Sequence, residues 1–294
     1  MTRLIKISIL GMIIALPTTL VKGQSTQLFS PADSVARLEM RYLHPFYKLV
    51  DKQGMLSGVY DFSISYPINS KWNIQASVPL LFAKYDVTNY YGYGGGYGYG
   101  DSHTVSTIKD NAIGNIMLGI NANSFFNNSR VFSFNLQLFL PTAQDDNDAV
   151  DYAVYANLYE LQKYFSDVTS VTAKATYAYI PGSGLFYSLS SGAVYLIAGS
   201  DSGFDNDFCL SYAFSGGYKI NKLAFGIDYL GFINLTNDVF DDFRDRMFDA
   251  LTIGAHYSIG NFEPSLFYSV YTRDDIRDVI SGTLGIKLAY RFAR

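Results

Sequence analysis

Residues 131–140 read VFSFNLQLFL. In an extended chain, successive side chains point to opposite faces. Phe132, Phe134, Leu136, Leu138 and Leu140 therefore share one face, and Ser133, Asn135 and Gln137 share the other. Residues 283–292, TLGIKLAYRF, repeat the pattern, with Leu284, Ile286, Leu288, Tyr290 and Phe292 opposite Gly285, Lys287, Ala289 and Arg291. The stretches 73–83, 112–123 and 223–230 alternate in the same way. Beyond the first two dozen residues no run of 18 continuous apolar residues exists, which excludes a helical membrane protein. Two all-β architectures remain. A soluble sandwich would bury the apolar face; a transmembrane barrel would turn it toward lipid.

Four features favour the barrel. The alternating segments have about the 10-residue length that a tilted strand needs to cross a bilayer. Their second face is rich in Gly, Ala, Ser and Asn, as a confined lumen requires. Tyr85, Tyr177, Tyr179, Tyr229, Tyr268 and Tyr290 fall near segment ends, where interfacial girdles form. Finally, the connections alternate in length. Tight ones fall at 68–71, 126–130, 165–167, 220–222 and 259–261. Long polar ones fall at 87–111, 142–151, 181–206, 235–249 and 272–281. Outer-membrane barrels have short periplasmic turns and longer extracellular loops. The expected fold is all-β: a transmembrane, antiparallel, up-and-down β-barrel of about twelve strands with both termini periplasmic. The sixth strand is expected at 152–164 and the seventh at 168–180. The stretch 185–199 reads either as a hairpin within a loop or as two further strands around Ser191-Gly192, which would make fourteen.

Composition agrees with a membrane barrel. Charged residues are 16% of the chain, against roughly 25% in ordinary globular proteins, and aromatics are also 16%. Arg3 and Lys6, an apolar run to about Leu20 and small residues near Gly23 have the layout of a secretory signal peptide. Residues 1–23 are therefore read as that signal and 24–294 as the barrel, placed in the cell outer membrane. The single cysteine, Cys209, rules out an internal disulfide. A formal net charge of −4 gives no footprint for nucleic acid. The expected surroundings are outer-membrane lipid and lipopolysaccharide, with a small-molecule solute in the lumen.

Residues 90–101, YYGYGGGYGYGD, have glycines but no phosphate-binding fingerprint. From Gly92, Gly94, Gly96 or Gly98 the position five residues on is Tyr97, Tyr99, Asp101 or His103, never the required glycine. The stretch reads as the second extracellular loop. It is either a low-complexity surface or a capture surface for aromatic or sugar-like ligands, with Tyr90, Tyr91, Tyr93, Tyr97 and Tyr99 as contact candidates.

Catalysis finds little support. His44, His103 and His256 have no metal-ligand spacing, and no cofactor is implied. Acidic clusters in the expected long loops lack the spacing of an EF-hand. Inward-facing charges are more informative: Arg37, Glu39, Arg41, Asp61, Lys174, Asp228, Glu263, Lys287 and Arg291 all fall on small-residue faces. They read either as a paired network stiffening the wall or as the lining of a conduit.

The stretch SGVYDFSISYPINSKWNIQASVPLLFAKYD, followed after a long loop by AIGNIMLGINANSF, resembles an outer-membrane family named for the meta-pathway of phenol degradation. Val78-Pro79 matches its Val-Pro pair. Residues 114–119, GNIMLG, match its Gly-Asp-x-x-Leu-Gly strand, with Asn115 in place of the aspartate. FLPTAQDDND at 139–148 is similar to its Leu-Pro-Thr loop. The likeness is clearest over 57–148 and brings no ligand or catalytic residues. It implies an outer-membrane barrel that moves small hydrophobic or aromatic molecules. The last strand, ending in Phe292, also resembles the signal read by the barrel assembly machinery, displaced by Ala293-Arg294. A non-enzymatic channel or transporter is thus the leading expectation. A structural or adhesive surface barrel is the alternative, and a membrane-embedded hydrolase a weaker one.

Overall fold

The structure is a computed structural model that describes residues 35–48, 50, 52–91, 102–127, 129–200, 205–236 and 243–292. The expected signal segment and Ala293-Arg294 lie outside these residues, as do Tyr93, Tyr97 and Tyr99. The strands are β1 (Arg37–Tyr47), β2 (Lys52–Gln53), β3 (Gly58–Pro67), β4 (Trp72–Tyr91), β5 (Ser102–Ile113), β6 (Ile116–Phe125), β7 (Arg130–Leu140), β8 (Val168–Tyr179), β9 (Gly184–Ala198), β10 (Asp207–Ile220), β11 (Leu223–Asn234), β12 (Met247–Tyr257), β13 (Phe262–Tyr271) and β14 (Ile280–Arg291). Pairing is antiparallel throughout. β1 meets β14 in a register that runs from Arg37 opposite Arg291 to Tyr47 opposite Ile280, closing the barrel.

The wall has twelve strands, because β5 and β6 are two parts of one. β6 pairs with the first residues of β4, from Trp72–Ala122 to Ser77–Met117. β5 pairs with the rest, from Leu80–Ile113 to Tyr91–Ser102. The interruption is Gly114-Asn115. β4 and β5 continue past the end of β3 as a two-stranded hairpin, against which the two-residue β2 pairs. The expected loop 87–111 is therefore mostly strand. Tyr90 and Tyr91 end β4, opposite His103 and Ser102.

The number twelve agrees with the sequence reading, but the membership does not. Residues 152–164 are not a strand: they belong to helix α1 (Asp148–Val154) and a 3₁₀ stretch, Leu158–Lys163. Residues 184–198 form one uninterrupted strand, not a hairpin or a pair. β8 consequently runs opposite to the expected direction. The segment 165–167 is at the extracellular end, and 180–183 is a short turn at the periplasmic end. The other short turns are at 68–71, 126–129, 221–222 and 258–261. At 221–222 the left-handed φ of 53° at Asn221 reverses the chain between Ile220 and Leu223; asparagine tolerates that conformation better than most residues.

The exterior settles barrel against sandwich. Ile74, Ile120 and Leu136 are lateral neighbours across β4, β6 and β7, and all are exposed. So are Ile227 and Ile253 across β11 and β12, and Leu266 and Ile286 across β13 and β14. Soluble monomers rarely expose contiguous apolar patches beyond a few hundred Å²; exposed apolar side chains continued across neighbouring strands of the wall make a lipid-facing surface. Aromatics flank it. Tyr66, Trp72, Tyr218, Tyr257 and Tyr290 lie toward the periplasmic ends. Tyr60 sits 4.6 Å from Tyr42 and 5.4 Å from Phe82 on the other side. Tyr85, expected in this girdle, instead turns inward and stacks on Tyr152 at 5.6 Å.

Candidate functional site

Residues 141–167 fold into the barrel as a plug. Asn147 caps α1 by accepting from the Ala149 amide, which satisfies a helix N-terminus that would otherwise be orphaned. Ala149, Val150, Tyr152, Ala153 and Tyr164 then pack on Leu43, Val59, Leu81, Ala83 and Phe267 of the wall. Leu158 and Leu161 pack on the opposite wall, among Val194, Cys209, Phe232, Tyr271 and Ile280. Inward faces are therefore apolar in the extracellular half, where the alternation was expected to leave polar or small residues. They become polar below: Arg41, Glu39 and Arg37 follow Leu43 on β1, and Asp61, Ser63 and Ser65 follow Val59 on β3.

At that transition four charges form a ring. Arg41 Nη2 lies 2.8 Å from Asp61 Oδ2 and 2.6 Å from Glu160 Oε2. Lys163 Nζ lies 2.5 Å from the same Asp61 oxygen and 3.1 Å from the same Glu160 oxygen. Arg41 and Asp61 are opposite each other on β1 and β3; Glu160 and Lys163 belong to the plug. Asn157 Nδ2 also donates to Glu160, at 2.5 Å. Burial alone would raise the Glu160 carboxyl, but Arg41 and Lys163 reverse that and hold it below the ordinary carboxylate range. An isolated buried charge is costly, whereas one held between two opposite charges is tolerated.

Asn115 fastens the plug at both ends. Its Nδ2 donates to the carbonyls of Gln162 at 3.0 Å and Phe165 at 2.7 Å. Its Oδ1 accepts from the amides of Thr142 and Ala143, both at 2.9 Å. Thr142 Oγ1 donates to Gly114 O at 2.7 Å. A Cβ on Gly114 would lie 2.5 Å from Lys163 O and 2.8 Å from Pro79 Cγ, so only glycine admits this approach. The residues that carry the family resemblance, Pro79, Gly114-Asn115 and Thr142, thus meet at one place. Asparagine suits it because it donates and accepts. Asn115→Asp should keep the Thr142 and Ala143 bonds and strand the two carbonyls, a loss of about 1–3 kcal/mol for each buried group left unpaired. The expected result is faster proteolytic cleavage within 141–167, with heat-modifiable gel migration unchanged. Cleavage at the wild-type rate would contradict this role.

Below the plug, the lumen holds a cavity of about 130 Å³. Arg37, Glu39, Arg41, Asp61 and Lys174 line it. Arg37 pairs with Glu39 at 3.3 Å and with Glu263 at 3.1 Å, and Arg291 reaches Glu263 at 3.1 Å. Asp228 and Lys287 are buried on the inward faces of β11 and β14. The sequence reading missed Glu160, Lys163 and Asn115. The first two were visible in principle: they stand three apart, so a strand there would have turned one charge toward lipid. His256, on the lumen face, has Nδ1 at 3.0 Å from Ser265 Oγ and Nε2 at 3.2 Å from Ser258 Oγ. Both ring nitrogens thus face hydroxyls rather than an orienting carboxylate. Among the described residues no His, Cys, Asp and Glu cluster could hold a metal ion.

The sequence matches no protein family and no curated protein. Solved structures do match. The COG4313 outer membrane channel from Pseudomonas putida F1 aligns with a TM-score of 0.58 and 11% identity, over 92% of this chain and 100% of that one. The fold is that of an outer-membrane β-barrel. The NanC porin aligns at 0.49 and 8% identity, over 88% of this chain and 100% of its own. The KdgM porin aligns at 0.47 and 8%, over 87% and 99%. The closed barrel and its lipid-facing belt place the chain in the outer membrane.

Proposed function

We propose that this barrel is a gated outer-membrane channel for small molecules, in which residues 141–167 are the gate. The observation that carries the reading is the ion ring. Two of its four members are on the wall and two on a segment without a strand partner of its own, so the plug is held by contacts that can be exchanged. The polar cavity beneath gives a solute somewhere to go. The P. putida protein of similar fold is an outer membrane channel, which supports the same reading by analogy. The resemblance to the meta-pathway family adds hydrophobic or aromatic molecules as the solute class. The aromatic group of Tyr47, Tyr85 and Tyr152 at the extracellular mouth supports it, with ring centroids 4.6 and 5.6 Å apart. Purified protein in planar bilayers is expected to conduct in brief openings from a mostly closed state. A barrel that never conducts, and admits no small solute into liposomes, contradicts the proposal.

One observation favours the adhesive alternative: the β4–β5 hairpin extends past the end of β3, and in the sequence its two strands are joined by the Tyr/Gly stretch. Deleting residues 89–100 separates the two readings. An adhesive barrel loses surface binding and keeps its permeability; a channel that uses the stretch for capture loses solute uptake.

A further inference from the structure

We infer that the chamber below the plug contains a binding subsite for the carboxylate of a small organic monoanion, built around Lys174. The subsite rests on reading the lumen as a solute path. The other chamber cations are matched. Of those that line the cavity, Arg41 and Lys163 face Asp61 and Glu160, and Arg37 faces Glu263 and Glu39. No ion pair engages Lys174 among the described residues. Glu160, already held twice, attracts it only from farther away.

The neighbours of Lys174 are donors without partners. Asn135 lies directly opposite on β7, Gly192 opposite on β9, and Ser211 one strand beyond on β10. Only glycine fits at 192, where a Cβ would lie 2.7 Å from Ala173 O and 3.0 Å from Lys174 Cα and Ser211 Oγ, so β9 packs closely on the Lys174 backbone. Asn135 Nδ2, Ser211 Oγ and Thr172 Oγ1 have no hydrogen-bond partner among the described residues, although Asn135 is 2% and Thr172 3% exposed. All three line the same cavity as Lys174. Buried polar groups normally have partners, so a row of unpartnered donors beside an unpaired cation describes the complement of an anionic oxygen pair.

Charge, shape and size narrow the ligand. One cation flanked by neutral donors matches a single negative charge. A phosphate dianion would be only half compensated and would meet the carboxylates nearby. Met117, Phe139, Val194 and Leu230 are buried and line the cavity as well. They give the apolar body of the molecule a surface, while its carboxylate meets Lys174. A cavity of about 150 Å³ is enough to hold a benzene ring, and this one is close to that size. The ligand class is therefore a small monocarboxylate with an apolar or aromatic body.

The test titrates benzoate, its neutral isostere benzamide, and inorganic phosphate into the folded full-length barrel in detergent, read by calorimetry. Benzoate should bind wild type, and benzamide and phosphate should bind at least about tenfold more weakly, since a charge-assisted contact carries at least the 1.4 kcal/mol that a tenfold change represents. Lys174→Met should weaken benzoate by a similar factor, and Lys174→Arg by much less. Equal binding of benzoate and benzamide, no benzoate binding, phosphate as tight as benzoate, or wild-type affinity in Lys174→Met would overturn the subsite. If Lys174→Met loses its heat-modifiable migration, the wild-type comparison still decides. Conductance of the same preparation separates the two readings. A barrel that binds benzoate but never conducts keeps the subsite and loses the channel, whereas one that conducts without binding benzoate loses the subsite.

Discussion

Glu160→Ala is expected to raise the open probability of the channel by about a hundredfold or more while leaving the barrel folded. Removing Glu160 takes from Arg41 and Lys163 one of the two carboxylates that they share. Breaking a buried ion pair by removing one partner costs about 3–5 kcal/mol, and each 1.4 kcal/mol is a tenfold change in an equilibrium. The plug should not be expelled altogether. Val150, Tyr152, Leu158, Leu161 and Tyr164 are all buried, and full burial of one large apolar side chain contributes about 1.5–3 kcal/mol. Together these exceed the lost pairing, so the plug opens more often yet still closes. Single-channel recording measures the effect, and an unchanged open probability would remove the plug as a gate. The pH dependence has a definite sign. Glu160 is held below its ordinary value of 4.5. A depressed carboxylate lends stability that is fully present above that ordinary value and is lost as pH falls through the lower, folded one. Wild-type gating should therefore be flat from pH 7 to 5.

Ile286→Arg should lower barrel stability by about 2–4 kcal/mol, the cost of a lipid-facing arginine at the bilayer midplane. Ile286 is exposed near the middle of β14, between Tyr42 of β1 and Leu266 of β13. Leu136→Arg should behave alike, because Leu136 is exposed beside Ile120. Asn135→Arg, one residue away but facing the lumen, should cost far less and change ion selectivity instead. Urea unfolding in lipid vesicles gives the comparison, with membrane fractionation of the wild type alongside. Equal losses at 135 and 136 would contradict the assignment of faces.

Strand-by-strand alternation made the wall legible. Residues 131–140 and 283–291 are strands in the expected phase because lipid on one side and lumen on the other impose a period of two. The inward placement of Arg37, Arg41, Asp61 and Lys287 followed from that phase. The plug was harder to read. α1 has seven residues, two turns at most, too few for a 3.6-residue period to show. Its apolar side chains are buried by the lumen wall rather than by lipid, and an apolar residue looks the same in either setting. β9 was obscured by Ser190-Ser191-Gly192, a turn-like sequence that the interior of a barrel accepts because it limits side-chain size. Its phase was nevertheless unbroken: Ser188, Ser190, Gly192 and Val194 share one face. The ion ring was half legible, since the wall partners were identified and the plug partners were assigned to a membrane strand.

The walls that receive the plug come from both ends of the chain. Arg41 is 119 residues from Glu160, and Tyr271, whose hydroxyl accepts from the Leu158 amide at 3.0 Å, is 113 residues away on the other side. The receiving cavity does not exist until β1 has met β14. The plug's seat is complete only once the wall has closed, so docking of 141–167 is expected to follow closure. A newly inserted barrel is then expected to pass through an unplugged state, and leakage of a small solute across the membrane during biogenesis would measure how quickly the segment between β7 and β8 finds its seat.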